Sequence, residues 1–287
     1  MRTARGSPSS PPRRALAGCL PLSLPRSLLL SLLVACLPLQ LPLPAAAAQG
    51  VALRIYGMDS KPVSFRDGGR PAGLAVDLAL HIQQRLGRAD PIEIIPWARA
   101  NTVANAQPNV MLLSIVRTPE RAQRLAFVGP IFMAYISAFA ITGRAAEIRA
   151  MGEEIYKLRS GARRGSIFVE RARGHGYNLT DEPVSSEAAA RMLMQRRFDL
   201  WFDGEEIVGP ALEQAGYTRG DVELVKQLSL EEVYFAFSKG TAPETVRAWE
   251  TALRDMKRDG SFQKIYRKWL PHYPLPADAR LPETRRP

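Results

Sequence analysis

Cysteine is nearly absent from this 287-residue chain; Cys19 and Cys36 are the two it has. Both fall in the first 36 residues, so a folded body beginning after them has no disulfide framework, no thiol nucleophile and no cysteine metal site. Histidine is scarce too. His81, His175 and His272 show no ligand spacing, so neither a metal nor any other cofactor is expected. Long apolar runs are lacking as well. A spanning helix needs ~20 apolar residues, whereas the run over 28–35 is shorter and is followed by Pro38, Pro42 and Pro44. Aromatics make up 8% of the chain. They do not interleave with basic residues, and no zinc-finger spacing occurs, so no nucleic-acid partner is expected. Gly174-His175-Gly176 reads as a loop and not as a phosphate cradle. Glu153-Glu154 and Glu205-Glu206 read as exposed helix charges, not as paired catalytic acids.

What is present begins with a targeting pattern. Arg2, Arg5, Arg13, Arg14 and Arg26 precede the apolar run, and alanines fill 45–48 before Gln49. Basic, apolar and small-residue regions in that order make residues 1–48 a secretory signal peptide, cleaved after Ala48. Leu33-Val34-Ala35-Cys36 supports a rival reading, a lipoprotein anchored through Cys36. Cleavage at Ala48 leaves 239 residues and removes five arginines, lowering the net charge from +11 to +6. That length supports one large domain or two lobes with real cores. The remaining basic excess is spread along the chain and reads as a solvated surface.

Strand and helix signals alternate after residue 50, which places the chain in the α/β class. Residues 51–56 alternate as a strand, and Pro62, Gly68, Gly69, Pro71 and Gly73 punctuate a loop or hairpin. Leu74, Leu78, Ile82 and Leu86 recur every four residues and predict a helix over 74–86. Further strands are expected over 92–95, 110–115, 125–128, 137–142, 198–202, 222–225 and 233–237. Helices are expected over 97–106, 118–124, 166–173, 186–197 and 205–215. Two more helices follow residue 242, and residues 271–287, with five prolines, read as a flexible tail.

Thr118-Pro119-Glu120-Arg121 carries the chemistry most directly. Threonine is a good N-cap and proline suits the first helical position. A helix start directs free N–H groups at one spot, which favours an anion. Arg121 in that first turn opposes the helix dipole by ~0.3–1 kcal/mol, a cost that makes sense if its guanidinium binds a carboxylate. The other reading of these residues is a surface arginine paired with Glu120.

These motifs together resemble family 3 of the solute-binding proteins of ABC transporters. Pro62-Val63-Ser64-Phe65 is similar to the family's Pro-Phe-x-Phe, and Gly73-Leu74-Ala75-Val76-Asp77-Leu78 to its first helix start. The run from Ser114 to Arg121 resembles its Thr-Pro-Glu-Arg turn, and Arg197-Phe198-Asp199 its second-lobe Arg-Val-Asp. Asp259-Gly260-Ser261-Phe262 with Trp269 resembles its terminal helices. The resemblance covers about 51–270. It implies the two-lobed periplasmic-binding-protein type II fold, with two hinge-crossing strands near 137–142 and 233–238. Lobe 1 would comprise 49–137 and 239–270, and lobe 2 would comprise 138–238.

The resemblance also implies roles. Arg121 would bind a ligand carboxylate, helped by Thr118 and Ser114. Trp97 would wall the ligand, and Ser166 with Gly165 would offer a second helix start. The family's amino-group aspartate falls at Gly204, which Asp203, Glu205 and Glu206 flank, and any of these could replace it. Arg117 is an added cation, for a second acidic group or for the surface. The implied protein is a monomeric periplasmic receptor without enzymatic activity. It would capture a small carboxylate-bearing molecule, an amino acid or related organic acid, and pass it to an ABC permease in the inner membrane. The alternatives are a cyclohexadienyl-dehydratase-like enzyme on the same fold and a ligand-sensing accessory protein.

Overall fold

The computed structural model describes residues 51–280. The expected signal peptide, its cleavage point and Cys36 lie outside the described residues. The chain opens with β1 (Arg54–Gly57), a hairpin of β2 (Phe65–Asp67) and β3 (Arg70–Ala72), and helix α1 (Leu74–Arg85). Then come β4 (Ile92–Ile94), α2 (Trp97–Ala106), β5 (Val110–Val116), the one-turn α3 (Pro119–Ala122) and β6 (Leu125–Ile141). The middle of the chain supplies α4 (Ala145–Ala150), β7 (Ser160–Ala162), α5 (Ile167–Gly174), β8 (Leu179–Asp181), α6 (Ser186–Met194), β9 (Leu200–Gly204) and α7 (Glu205–Ala215). It closes with β10 (Val222–Ser238), α8 (Pro243–Asp259) and α9 (Ser261–Trp269).

Eight strands form one mixed sheet in the order β4-β1-β5-β10-β6-β9-β7-β8. β6 and β10, 17 residues each, pair antiparallel from Val222 opposite Ile141 to Ser238 opposite Leu125. β5 joins the far end of this ribbon, opposite residues 233–237 of β10. β9 joins the other end, opposite residues 136–139 of β6. Each half-sheet is parallel on its own side of the ribbon: β4-β1-β5 on one, β9-β7-β8 on the other. Parallel strands need helical crossovers, and α1, α2, α5 and α6 supply them. The α/β class and two-lobed plan expected from the sequence are what the chain adopts.

Local signals placed most elements within a residue or two. The ribbon differs. Separate short strands were expected at 125–128, 137–142, 222–225 and 233–237, but they fuse into two continuous strands. The linking stretch of β10, Lys226-Gln227-Leu228-Ser229-Leu230-Glu231-Glu232, is mostly polar, and its two leucines fall out of phase with Val233, Phe235 and Phe237. It stays extended because the facing stretch of β6 supplies its backbone hydrogen bonds, with bulges absorbing the irregularity.

The expected flexible tail is corrected over its first part. Residues 271–280 are fastened to the body. The buried Lys257 donates to Asp278 Oδ2 at 2.6 Å and to the carbonyl of Pro130 at 2.8 Å. Gln263 donates to the carbonyl of Ala279, and Tyr266 Oη to that of Pro274. A proline-rich composition signals missing N–H donors, but it is silent on side chains that reach the segment's carbonyls.

α8 is pinned to the ribbon by Trp249. Its ring is fully buried and meets Phe235 and Phe237 of β10 edge-on, with centroids 5.8 and 5.7 Å apart. Trp249→Ala is expected to cost about 3–5 kcal/mol, read as a lowered urea midpoint.

Candidate functional site

The carboxyl ends of β1 and β5 from one half-sheet, and of β7 and β9 from the other, face a shared cavity. That is where open α/β sheets place ligands. The cavity measures about 60 Å³. Met58, Val63, Phe132, Ile136, Phe168 and Ile207 make much of its wall apolar. The polar lining is small: Ser60, Ser114, Trp97 and Arg121 from the first half, and Arg163, Ser166 and Glu206 from the second.

Of the residues given site roles from sequence, Arg121, Ser114, Trp97, Ser166 and Glu206 line the cavity. Thr118 does not line the cavity. It caps α3, its Oγ1 accepting the Arg121 N–H at 3.3 Å with Pro119 at the first helical position. The helix it starts is four residues long, so its dipole is weak, and anion binding would rest on the Arg121 side chain. That guanidinium donates to the carbonyl of Val116 at 3.1 Å and to Glu170 Oε1 of α5 at 2.6 Å. It also lies 5.7 Å from the centre of the Trp97 ring. Trp97 Nε1 in turn donates to the carbonyl of Gly165 at 2.7 Å. Both residues therefore reach from the first half of the molecule to the second. Ser166 Oγ donates to the carbonyl of Arg163 at 2.5 Å, holding the turn at the end of β7.

The acids around Gly204 separate clearly. Asp203 is fully buried and does not line the cavity. Its carboxylate accepts from the Gly204 N–H at 2.9 Å and from Trp201 Nε1 at 3.2 Å, and burial pushes its pKa up. Glu205 turns toward the ribbon, where Ser137 Oγ donates to it at 2.6 Å. Glu206 enters the cavity, 5% exposed, which corrects the expectation of an exposed helix charge. Arg117 is solvent-exposed and packs over the ring of Phe127 at 5.9 Å, away from the cavity.

Sequence reasoning missed Arg163 altogether. It follows β7 directly and is 8% exposed. Its Nη1 donates to Ser60 Oγ of the opposite half, and its guanidinium lies 5.4 Å from the Phe168 ring centre. The available signal was weak: an arginine at the end of a three-residue strand, just before the Gly165-Ser166 turn. Among the described residues, no group of three or more His, Cys, Asp and Glu side chains could hold a metal, and no helix is long and apolar enough to cross a membrane.

Burial pushes the Glu206 carboxyl up to about 8 from an ordinary 4.5. The folded protein thus keeps a proton that the unfolded chain releases. The stability cost is absent below about pH 4.5, grows between the two values and is complete above about pH 8, where it reaches a few kcal/mol in order of magnitude. Glu206→Gln is expected to melt at a higher temperature than the parent above pH 8, with the gap closing toward about pH 5. A gap independent of pH would show that Glu206 titrates normally.

The sequence profile of the bacterial extracellular solute-binding proteins, family 3, matches residues 54–272. No curated protein matches the chain. Among solved structures, a histidine kinase sensor domain with similarity to periplasmic binding proteins superposes with a TM-score of 0.67 at 20% identity, covering 78% of this chain and 98% of its own. The arginine-, lysine-, histidine-binding protein ArtJ from the thermophilic bacterium Geobacillus stearothermophilus gives 0.65 at 17% identity, covering 77% and 96%. An ancestral amino-acid-binding protein, AncCDT-1, a precursor of cyclohexadienyl dehydratase, gives 0.63 at 21% identity, covering 76% and 95%. At these identities the likeness speaks for the fold alone.

Proposed function

Because the chain belongs to family 3 of the bacterial extracellular solute-binding proteins, we propose that it is a monomeric periplasmic receptor for a small carboxylate-bearing ligand. In this reading it serves an ABC importer in the inner membrane. One observation carries the proposal. A small, mostly apolar cavity lies between two half-sheets, and each half contributes an arginine and a serine to it: Arg121 and Ser114 from one, Arg163 and Ser166 from the other. Such a site holds a polar molecule from both sides when the halves close, the hinge motion of periplasmic binding proteins. Arg121 supplies the carboxylate contact, Ser114 an added hydroxyl and Trp97 a wall. We assign residues 49–137 and 239–270 to one lobe and 138–238 to the other, with residues 1–48 as the export signal.

A second reading, an enzyme on this fold, is favoured by one feature. Glu206 is a buried carboxyl that keeps its proton near neutral pH in the lining of the same cavity as two arginines, as a general acid would. Incubation with a prephenate-like cyclohexadienyl acid distinguishes the two. A receptor returns the acid unchanged, and steady product formation that stops in Glu206→Ala would establish the enzyme.

Titration calorimetry of residues 49–287 against amino acids and small organic acids tests the receptor reading. Binding of at least one compound is expected, and Arg121→Ala is expected to weaken it on the order of 10²-fold, through loss of charge-assisted hydrogen bonds. An unchanged affinity would remove Arg121 from the site.

A further inference from the structure

Arg121, Arg163 and Glu206 are the charge-bearing side chains that line the cavity, and they are not equally satisfied. Arg121 already has a carboxylate partner, Glu170. Arg163 has none: among the described residues no carboxylate oxygen lies within 4.0 Å of its guanidinium. Its hydrogen bond to Ser60 Oγ leaves the Nε–H without an acceptor. The fields of Asp203, Glu206 and Asp59 reach it, but burial opposes its charge more strongly. An arginine does not shed its proton in a protein. Arg163 therefore keeps a full positive charge in the cavity lining, with one buried donor unused.

Glu206 supplies the second unsatisfied atom. Its Oε2 is buried and has no partner. The carboxyl lies against Gly204, where an added Cβ would come 2.6 Å from Oε1 and 3.0 Å from Oε2. The missing side chain at Gly204 is what gives the carboxyl its room. Because burial keeps the group protonated near neutral pH, it offers an O–H. Arg163 and Glu206 thus line the cavity from the same half of the molecule, and each holds one buried polar atom without a partner. An ammonium placed between them would meet a positive charge and an uncharged carboxyl. An acceptor oxygen would satisfy both.

We infer that the ligand carries two acceptor ends and no amino group, as a small dicarboxylate does, with Arg163 as a second anion contact beside Arg121 and Glu206 as a hydrogen-bond donor to the same end. The inference rests on the receptor reading and narrows its ligand class.

Calorimetry on the ligand-stripped mature protein at neutral pH tests it, with succinate and glutarate against alanine, glutamate and arginine. The two dicarboxylates are expected to bind on the order of tenfold or more tighter than any of the three amino acids. Arg163→Met, which keeps the contact with Phe168, should weaken dicarboxylate binding on the order of 10²-fold. Glu206→Gln keeps a donor and should weaken it several-fold less than Glu206→Ala. Amino acids bound in preference to both dicarboxylates would overturn this inference and leave the receptor reading standing. So would Gln and Ala variants of Glu206 that are equally impaired, or an Arg163→Met variant of parental affinity. No binding of any carboxylate, whatever its other end, would overturn both. The parental panel decides the matter even if a variant fails to fold.

Discussion

The antiparallel pairing of β6 with β10 is the constraint on which the other elements depend. It is the one ladder that runs the length of the sheet's waist, from Val222 opposite Ile141 to Ser238 opposite Leu125. Each half-sheet is attached to it through a single neighbouring strand, β5 at one end and β9 at the other. Two separate parallel sheets are thereby made into one continuous surface without either edge pairing directly with the other. The cavity forms where their carboxyl ends face across the ribbon, and Phe132, Ile136 and Val233 of the ribbon itself help to line it. A bulged two-strand connection twists more easily than a wide sheet, which suits a hinge between halves.

The contacts that cross from half to half differ in kind from those that hold each half together. Each half rests on buried apolar packing, such as Trp249 against Phe235 and Phe237 or Phe139 beside Trp201. The crossing contacts are polar: Arg121 to Glu170, Trp97 to Gly165 and Arg163 to Ser60. An ion pair with a half-exposed member contributes little net stability, and Glu170 keeps 45% of its side chain in solvent. Such contacts can be broken and remade without disturbing either apolar core. The apolar cores cannot be, without unfolding.

Arg163, Asp203 and Glu206 work against stability. Buried ionisable groups lose hydration that internal partners rarely restore in full. Arg163 Nε and Glu206 Oε2 lack even a hydrogen bond. A chain selected for stability alone would place apolar side chains there, and groups with perturbed pKa collect where a site has a task.

Much of this protein was fixed by local chemistry and could be read from the amino-acid order. The four-residue recurrence of Leu74, Leu78 and Ile82 set α1. Thr118 and Pro119 set the start of α3, while the two-lobed plan was legible only through the resemblance of the ordered motifs to family 3 of the solute-binding proteins. Hydrophobic period, caps and turns act over a few residues, so the sequence carries them openly. The tertiary structure alone decided the rest. It fused four short strand signals into two long ones, because the polar stretch at 226–232 owes its extension to a partner strand distant in sequence. It bound residues 271–280 to Lys257, Gln263 and Tyr266. It also chose Glu206 over Asp203 and Glu205. One residue of strand or a fraction of a helical turn decides which of three adjacent side chains faces the cavity, and that rotation is set by how β9 and α7 pack. The turn from Thr118 to Arg121 shows both sides: its cap was legible, while the partners of its arginine, Glu170 and Trp97, come together only when the halves meet.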